Sequence, residues 1–146
     1  MDNTIFEQYK ALIDGEDQLS VLANTSAFVN EHLDNCNWVG FYLRKGNELL
    51  LGPFQGKVAC YRIQIGKGVC GTAAYTKETQ AVKNVHEFPG HIACDSSTNS
   101  EIVVPMIVND EVVGVLDLDS QSFERFGNNE KEFLENIVKI LIESAY

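Results

Sequence analysis

The sequence is poor in basic residues and contains no long hydrophobic run. Only 11 of its 146 residues are Lys or Arg, against 21 Asp and Glu, and the formal net charge is −10. A chain this acidic repels phosphate backbones and anionic lipids, and no cluster of Lys or Arg offsets that repulsion. No apolar stretch approaches the roughly 20 residues needed to cross a bilayer. We therefore expect neither a nucleic acid nor a membrane as partner.

Signals for export are also missing. The N-terminal segment MDNTIFEQYKALID has neither the basic nor the apolar region of a secretory signal peptide. Hydrophobic residues make up 45% of the chain, which is ordinary for a globular protein. The length and composition predict a single domain over residues 1–146, located in the cytoplasm.

The chain has four cysteines but no C-x-x-C motif: Cys36, Cys60, Cys70 and Cys94. In the cytoplasm thiols stay reduced, and disulfides that form there are transient, catalytic or regulatory. The intervals fit no zinc knuckle, so a site built from Cys60, Cys70, Cys94 and His91 is disfavoured and no metal is expected. Taken singly, each cysteine is typical of a small buried hydrophobic residue.

Hydrophobic periodicity places helices at both ends of the chain and strands between them. Helices are predicted over about 3–13, 17–33 and 69–76 and from near Asn129, where Glu132 would complete a capping box. Strands are predicted over 38–44, 48–52, 59–65, 80–84, 101–108 and 111–119. This order predicts an α+β fold, with a roughly six-stranded antiparallel sheet and the N- and C-terminal helices on one face. Loops, including the long segment 85–100, would cover a pocket on the other face.

Three acidic residues are expected to lie near one another at the end of the sheet. Asp117 and Asp119 alternate with leucines, so their carboxylates share one face of the last strand. Glu101 begins the preceding strand and would join them if the two strands pair across Asn109–Asp110, although a slip of one residue would separate them. Such a cluster requires a cation, for example an ammonium group, or a bound proton that would make one member a general acid. The alternative is that Asp119 starts a turn and Glu101 is solvated.

Two aromatic residues share a face of the first strand, because Trp38 and Tyr42 are four positions apart. An aromatic wall opposite carboxylates would hold a thioether side chain, or cover an ammonium group by cation–π attraction. Ordinary core packing is the alternative.

Cys94 lies in a polar loop, where a thiol can move as a nucleophile or disulfide partner must. Cys60 and Cys70 are both possible partners if the Cα atoms come within about 6–7 Å of Cys94. Cys70 lies near a predicted helix N-terminus, which would lower its pKa. His91 would act likewise on Cys94 if charged, although a solvated loop histidine is the simpler interpretation. Cys36 has no evident partner.

Four segments together resemble the free methionine-(R)-sulfoxide reductases, a family of GAF-domain enzymes. They are NWVGFYL (37–43), GPFQGKVACYRIQIGKGVCGTAA (52–74), HIACDSSTNSEIVVPM (91–106) and GVLDLDS (114–120). A GAF fold alone carries little functional information, since such domains bind many ligands. Three cysteines at these separations, together with the D-x-D strand, are much more specific.

The resemblance implies a role for each of three cysteines. Cys94 is at the position of the nucleophile, Cys60 at that of the usual resolving thiol, and Cys70 matches a third cysteine that can take part. Attack on the sulfoxide would give a sulfenic acid on Cys94 and then an intramolecular disulfide. The external reductant would be thioredoxin, and no bound cofactor is expected.

The resemblance also implies the substrate, free L-methionine (R)-sulfoxide. Glu101, Asp117 and Asp119 match the acidic trio that grips it and assists the sulfoxide oxygen, and Trp38 and Tyr42 match the aromatic wall. The alternative function is a non-catalytic GAF sensor of a small ligand or of redox state, which leaves the three cysteines without a role. Pairing of the terminal helices makes a homodimer a further possibility.

Overall fold

The computed structural model describes residues 3–91 and 95–146, in which six strands form one sheet. The helices are α1 (Asn3–Ile13), α2 (Gln18–His32), α3 (Gly68–Thr76) and α4 (Asn128–Ala145), with a short 3-10 helix at Val85–Glu87. The strands are β1 (Trp38–Lys45), β2 (Glu48–Gly56), β3 (Arg62–Gln64), β4 (Gln80–Val82), β5 (Ser100–Val108) and β6 (Glu111–Ser120). The strand order is β3-β2-β1-β6-β5-β4, and every neighbouring pair is antiparallel. The predicted α+β class and strand number are confirmed.

The terminal helices α1, α2 and α4 pack on one face of the sheet, as predicted. Val39 and Phe41 of β1 and Leu118 of β6 meet Tyr9 of α1 and Leu134 of α4 in a fully buried cluster. Burying one such side chain contributes about 1.5–3 kcal/mol to folding, so this cluster is what fixes the orientation of the sheet. Side chains that alternate with these residues therefore point to the opposite face. Among the residues that the structure describes, no helix is long and apolar enough to cross a membrane.

The opposite face is covered by α3 as well as by loops. Small residues let this helix approach the sheet, and Ala73 is fully buried there against the second hydrophobic cluster. Position 71 must be glycine, because a Cβ there would lie 2.4 Å from the backbone oxygen of Gln64. The predicted helix at 69–76 is confirmed as α3, and it covers this face together with the predicted loops.

The helix α4 starts within one residue of the predicted Asn129, but its predicted cap and the predicted ends of β2, β3 and β4 are wrong. The start of α4 is capped by Glu130, whose Oε1 accepts a hydrogen bond from the Gly127 N–H at 2.8 Å, so the predicted cap with Glu132 does not form. The predicted strand over 59–65 is only Arg62–Gln64, because it pairs with β2 solely at Glu48–Leu50.

An extra residue in β6 shifts its register against β5. Next to the connecting turn, Ile107 pairs with Val112, whereas Met106 pairs with Gly114, so Val113 has no partner in the ladder. This is a β-bulge, which moves every later pair by one residue. Pro105 lies just before the shift and beyond the part of β5 that pairs with β4, where a proline is tolerated.

The bulge decides which face of the sheet carries Glu101. Counting from the turn without it would place Glu101 opposite Leu118, whose side chain is in the helix-side core. With the bulge, Glu101 pairs with Asp119 and Val103 pairs with Asp117. The three carboxylates thereby meet on the face covered by α3.

We predict that Gly114→Ala destabilises the protein, because β1 and β6 approach each other too closely at this position for a Cβ. That Cβ would lie 2.6 Å from the backbone oxygen of Tyr42 and 3.2 Å from Leu43 Cδ2. We expect the free energy of unfolding to fall by about 1–3 kcal/mol in urea denaturation. Gly127→Ala is the control, because its Cβ reaches only Glu130 Oε1 at 3.4 Å. Equal losses in both variants would contradict the prediction.

Candidate active site

A pocket opens on the α3 face of the sheet, between α3, the loop at 57–59 and the residues His91, Asp95 and Thr98. Its enclosed cavity is small, about 50 Å³, and it opens to solvent at its mouth. Its walls belong to three groups: an acidic floor, an aromatic wall and a mouth that carries two lysines. The acidic floor and the aromatic wall contain all five predicted substrate-binding residues, Trp38, Tyr42, Glu101, Asp117 and Asp119.

The acidic floor consists of Glu101, Asp117 and Asp119. Glu101 is 6% exposed and Asp117 is 5% exposed, so both carboxyl groups are removed from solvent. Oδ1 of Asp117 and Oδ1 of Asp119 are buried without a hydrogen-bond partner among the described residues. Buried polar atoms are normally satisfied, so these oxygens point to a bound group that donates to them. The predicted clustering is confirmed, and the alternative of a solvated Glu101 is wrong.

Burial raises the pKa of all three carboxyl groups above its ordinary value. For Glu101 the loss of hydration is the largest cause, followed by the negative charges of Asp117 and Asp119. The same loss of hydration raises the pKa of Asp117, while hydrogen bonds to Glu101 and Cys70 act in the opposite direction. The pKa of Asp119 is also raised well above its usual value, first by burial and then by the charge of Asp117. The floor therefore keeps a proton at a pH where isolated carboxylates are ionised.

The aromatic wall is formed by stacked rings. The ring centroids of Trp38 and Tyr42 are 5.8 Å apart, and those of Trp38 and Phe54 are 5.1 Å apart. Trp38 and Tyr42 are both buried and both line the pocket, so the prediction of a wall and the alternative of core packing describe the same pair. Gly40, between them on β1, makes the stack possible, because a Cβ there would lie 2.3 Å from Phe54 Cβ.

The polar ends of the wall residues bind one backbone segment at the pocket rim. Trp38 Nε1 donates to the backbone oxygen of Lys57 at 3.1 Å. Tyr42 Oη donates to the backbone oxygen of Cys60 at 2.9 Å. The wall is therefore fixed to the segment that carries Cys60.

The described cysteines differ in redox state and burial. Cys60 is half-buried and disulfide-bonded, whereas Cys36 and Cys70 are free thiols. Cys94, the predicted nucleophile, lies outside the described residues, so its role stays a prediction. Cys36 does not line the pocket, donates to the backbone oxygen of Asp34 at 3.5 Å, and has a pKa raised by burial to about 11.

The expected lowering of the Cys70 pKa is wrong. Cys70 does lie in the first turn of α3, but its thiol is buried against the acidic floor and donates to Glu101 Oε2 at 3.9 Å. Burial, followed by the charges of Asp117 and Glu101, raises its pKa well above the usual value. Desolvation and three carboxyl groups outweigh the effect of one helix terminus.

His91 is half-buried and lines the pocket, so the expectation of a solvated loop histidine is wrong. Burial is the main cause that lowers its pKa, and the nearby His86 adds to the effect. His91 is therefore neutral at physiological pH, and it does not supply a positive charge to a neighbouring thiol.

Several pocket residues have no distinctive sequence signal. Lys57 and Lys67 are exposed at the mouth, and Lys67 directly precedes α3 within a Gly-Lys-Gly turn. Nothing in their spacing separates them from solvated surface lysines. Asp95 and Thr98 also line the pocket, and Asn37 donates to Asp95 Oδ2 at 3.1 Å and to Thr98 Oγ1 at 3.3 Å. These bonds fasten the loop before β5 to the start of β1.

We predict that the acidic floor makes the protein less stable as pH rises. The folded pKa of Glu101 exceeds its unfolded value, so the folded state binds more protons between those two values and stability falls through that window. Glu101→Gln removes one titrating carboxyl group, and we expect its melting temperature at pH 8 to exceed that of the wild type by about 3 °C or more. The gain should shrink towards pH 4, as measured by thermal unfolding across pH.

The matched control for this prediction is Glu111→Gln, which alters an exposed glutamate at the start of the same strand pair. It should leave the pH profile of the melting temperature unchanged. A Glu101→Gln profile parallel to that of the wild type would contradict the role assigned to the buried cluster.

The GAF domain family matches residues 18–141 of this chain. The chain is 48% identical over 143 residues to the free methionine-R-sulfoxide reductase of Escherichia coli, covering 94% of this chain and 87% of the relative. It is 50% identical over 146 residues to the enzyme of the same name from Saccharomyces cerevisiae, covering 94% and 81%.

A solved protein has the same fold over nearly the whole chain. The reduced form of fRMsr of Staphylococcus aureus superposes with a TM-score of 0.94 at 51% identity, covering 99% of this chain and 94% of that chain. The same protein in complex with substrate gives a TM-score of 0.93 at 50% identity, covering 99% and 95%.

Proposed function

This chain belongs to the free methionine-R-sulfoxide reductases, a family of GAF-domain oxidoreductases, and we propose that it reduces free L-methionine (R)-sulfoxide with Cys94 as nucleophile. The observation that carries the substrate assignment is the acidic floor beside an aromatic wall. Two floor oxygens, Asp117 Oδ1 and Asp119 Oδ1, have no hydrogen-bond partner within 3–91 and 95–146 and would accept hydrogen bonds from an ammonium group. The stacked indole and phenol rings would hold a short thioether-like side chain.

The mouth of the pocket offers charge of the opposite sign. Lys57 and Lys67 are the lysines there, and the α3 N-terminus opens into the same space at Gly68 and Val69. Backbone N–H groups at a helix N-terminus favour anions. A pocket with an anionic floor and a cationic mouth suits a free amino acid, which is a zwitterion. A peptide-bound methionine lacks both charges at its α-carbon, and this difference supports specificity for the free compound.

The proposed chemistry transfers oxygen from substrate to enzyme. The Cys94 thiolate attacks the sulfoxide sulfur while a protonated carboxyl of the floor donates its proton to the sulfoxide oxygen. The substrate's sulfur–oxygen bond breaks as the protonated oxygen passes to the Cys94 sulfur, so methionine leaves and Cys94 becomes a sulfenic acid. The thiol of Cys60 then displaces water from it and forms a disulfide, which an external dithiol such as thioredoxin reduces by exchange.

Cys60 and Cys70 are not equally suited to act as the resolving thiol. Cys60 is half-buried at the rim and is already disulfide-bonded, which supports it as the first choice. Cys70 is buried on the acidic floor, where its raised pKa keeps it a thiol and makes it a poor nucleophile. We propose Cys60 as the principal resolving thiol.

Turnover with free methionine sulfoxide tests this proposal. We expect thioredoxin-coupled NADPH oxidation with the free (R)-sulfoxide and a rate at least about 100-fold lower with its N-acetyl derivative, which lacks the ammonium group. Cys94→Ser should abolish turnover, whereas Cys60→Ser should allow one reduction per enzyme and then stall. Cys36→Ala is the control and should keep the wild-type rate.

Equal rates on the free and the acetylated sulfoxide would contradict the role of the acidic floor. Multiple turnovers by Cys94→Ser would contradict the nucleophile assignment.

The rim beside Cys60 is where an external reductant would dock. Tyr61, which follows Cys60 and does not line the pocket, is 80% exposed. We expect Tyr61→Ser to raise the KM for thioredoxin about 5-fold, because an aromatic contact worth about 1 kcal/mol is lost next to the attacked disulfide. Turnover driven by dithiothreitol should not change, since that small reductant needs no protein contact.

Tyr75→Ser is the matched control, since Tyr75 lies on α3 and is 74% exposed. It should leave the KM for thioredoxin unaltered. A Tyr61→Ser enzyme that slows equally with both reductants, or not at all, would rule out this docking site.

A further inference from the structure

We propose that Cys70, Glu101 and Asp117 form a binding site for a thiophilic divalent cation of the Zn²⁺ class at the floor of the pocket. One ligand atom from each, the Cys70 sulfur and two carboxylate oxygens, lies within 4.8 Å of the others. All three residues are buried, and they come from α3, β5 and β6. This set differs from the cysteine and histidine site that the spacing of the sequence disfavours.

The distances are close to those that Zn²⁺ requires. A tetrahedral ion with bonds of about 2.3 Å to sulfur and 2.0–2.2 Å to oxygen separates those two ligand atoms by about 3.6 Å. The Cys70 sulfur lies 3.9 Å from Glu101 Oε2, so small rotations of two side chains would close the site. The pocket leaves the fourth position open to water, as in zinc sites that keep an exchangeable ligand.

A second observation points to a ligand at this position. Oδ1 of Asp117 has no hydrogen-bond partner among the described residues, although the residue is nine-tenths buried. An ion bound there would satisfy that oxygen and offset the repulsion between Glu101 and Asp117. The thiol decides the class of ion, because a sulfur ligand favours Zn²⁺ and related ions over Mg²⁺ and Ca²⁺, which prefer oxygen.

The cation and the amino acid would compete, because both use the carboxylates of the floor. This part of the inference rests on the proposed function, whereas the metal site itself does not. The consequence is that a thiophilic ion would occupy the pocket in place of the substrate.

Cadmium is the probe, because its bond to a thiolate gives an ultraviolet charge-transfer band. The Cys36→Ala/Cys60→Ser/Cys94→Ser variant retains Cys70 as its only thiol, and its band should saturate at one Cd²⁺ per chain. The matched variant Cys60→Ser/Cys70→Ala/Cys94→Ser retains only Cys36, which also lies close to acidic residues, and should bind at least about 10-fold more weakly. Equal affinities in the two variants, or no band from the Cys70-only protein, would overturn the site.

The carboxylate ligands are tested in the Cys70-only background. Glu101→Gln and Asp117→Asn should each weaken Cd²⁺ binding about 10-fold or more, and Glu111→Gln should not. Unchanged affinity in both ligand variants would overturn the proposed ligand set.

Free methionine sulfoxide should weaken Cd²⁺ binding. If methionine sulfoxide leaves the Cd²⁺ affinity unchanged, the metal site is supported and the proposed substrate pocket is contradicted. Failure of the metal site and failure of the proposed function therefore give different results.

A measurement that needs only one substitution guards against poor folding of the triple variants. In the oxidised protein, where Cys60 is disulfide-bonded, Zn²⁺ should raise the melting temperature, and a chelator should reverse the shift. Cys70→Ala should lose this response and Cys36→Ala should keep it. A response that Cys70→Ala retains in full would overturn the proposal.

Discussion

The burial of three carboxyl groups side by side is the constraint on which the pocket depends. Loss of hydration and mutual repulsion raise the pKa of Glu101, Asp117 and Asp119, so the floor is stable only with a bound proton or a bound cation. The same unfavourable electrostatics determine what the site can do chemically. In the proposed reaction they would provide a proton donor for the departing oxygen and favour binding of an ammonium group, and they lower the stability of the empty protein.

Local patterns were sufficient for the fold and for the faces of the strands. Alternation in β1 and β6 correctly put Trp38 with Tyr42 and Asp117 with Asp119, because a period of two leaves little choice once the leucines are buried. The meeting of Glu101 with the aspartates was less secure. It depends on the β-bulge at Val113, and the sequence of a valine-rich strand does not show which residue is left unpaired.

The pKa of Cys70 and the burial of His91 were mispredicted, because both depend on residues that are distant in the sequence. A helix N-terminus suggests an acidic thiol at Cys70, but the surrounding carboxyl groups come from β5 and β6, more than 30 positions away in the chain. His91 was expected in solvent for the same reason, since its burial depends on the pocket as a whole. Lys57 and Lys67 gave no signal because surface lysines are common, and only the folded pocket shows that they share its mouth.

The two bonds from the aromatic wall to the rim segment couple recognition to oxidation state. Trp38 and Tyr42 each donate to a backbone oxygen of that segment, at Lys57 and at Cys60. Any shift of the segment when its disulfide opens must therefore alter the surface offered to the side chain of the amino acid. Linkage is reciprocal, so if the segment shifts in this way, an occupied pocket would in turn change the reduction potential of the Cys60 disulfide. Under the proposed cycle, the oxidised and reduced forms of the protein would then bind product and substrate with different affinities.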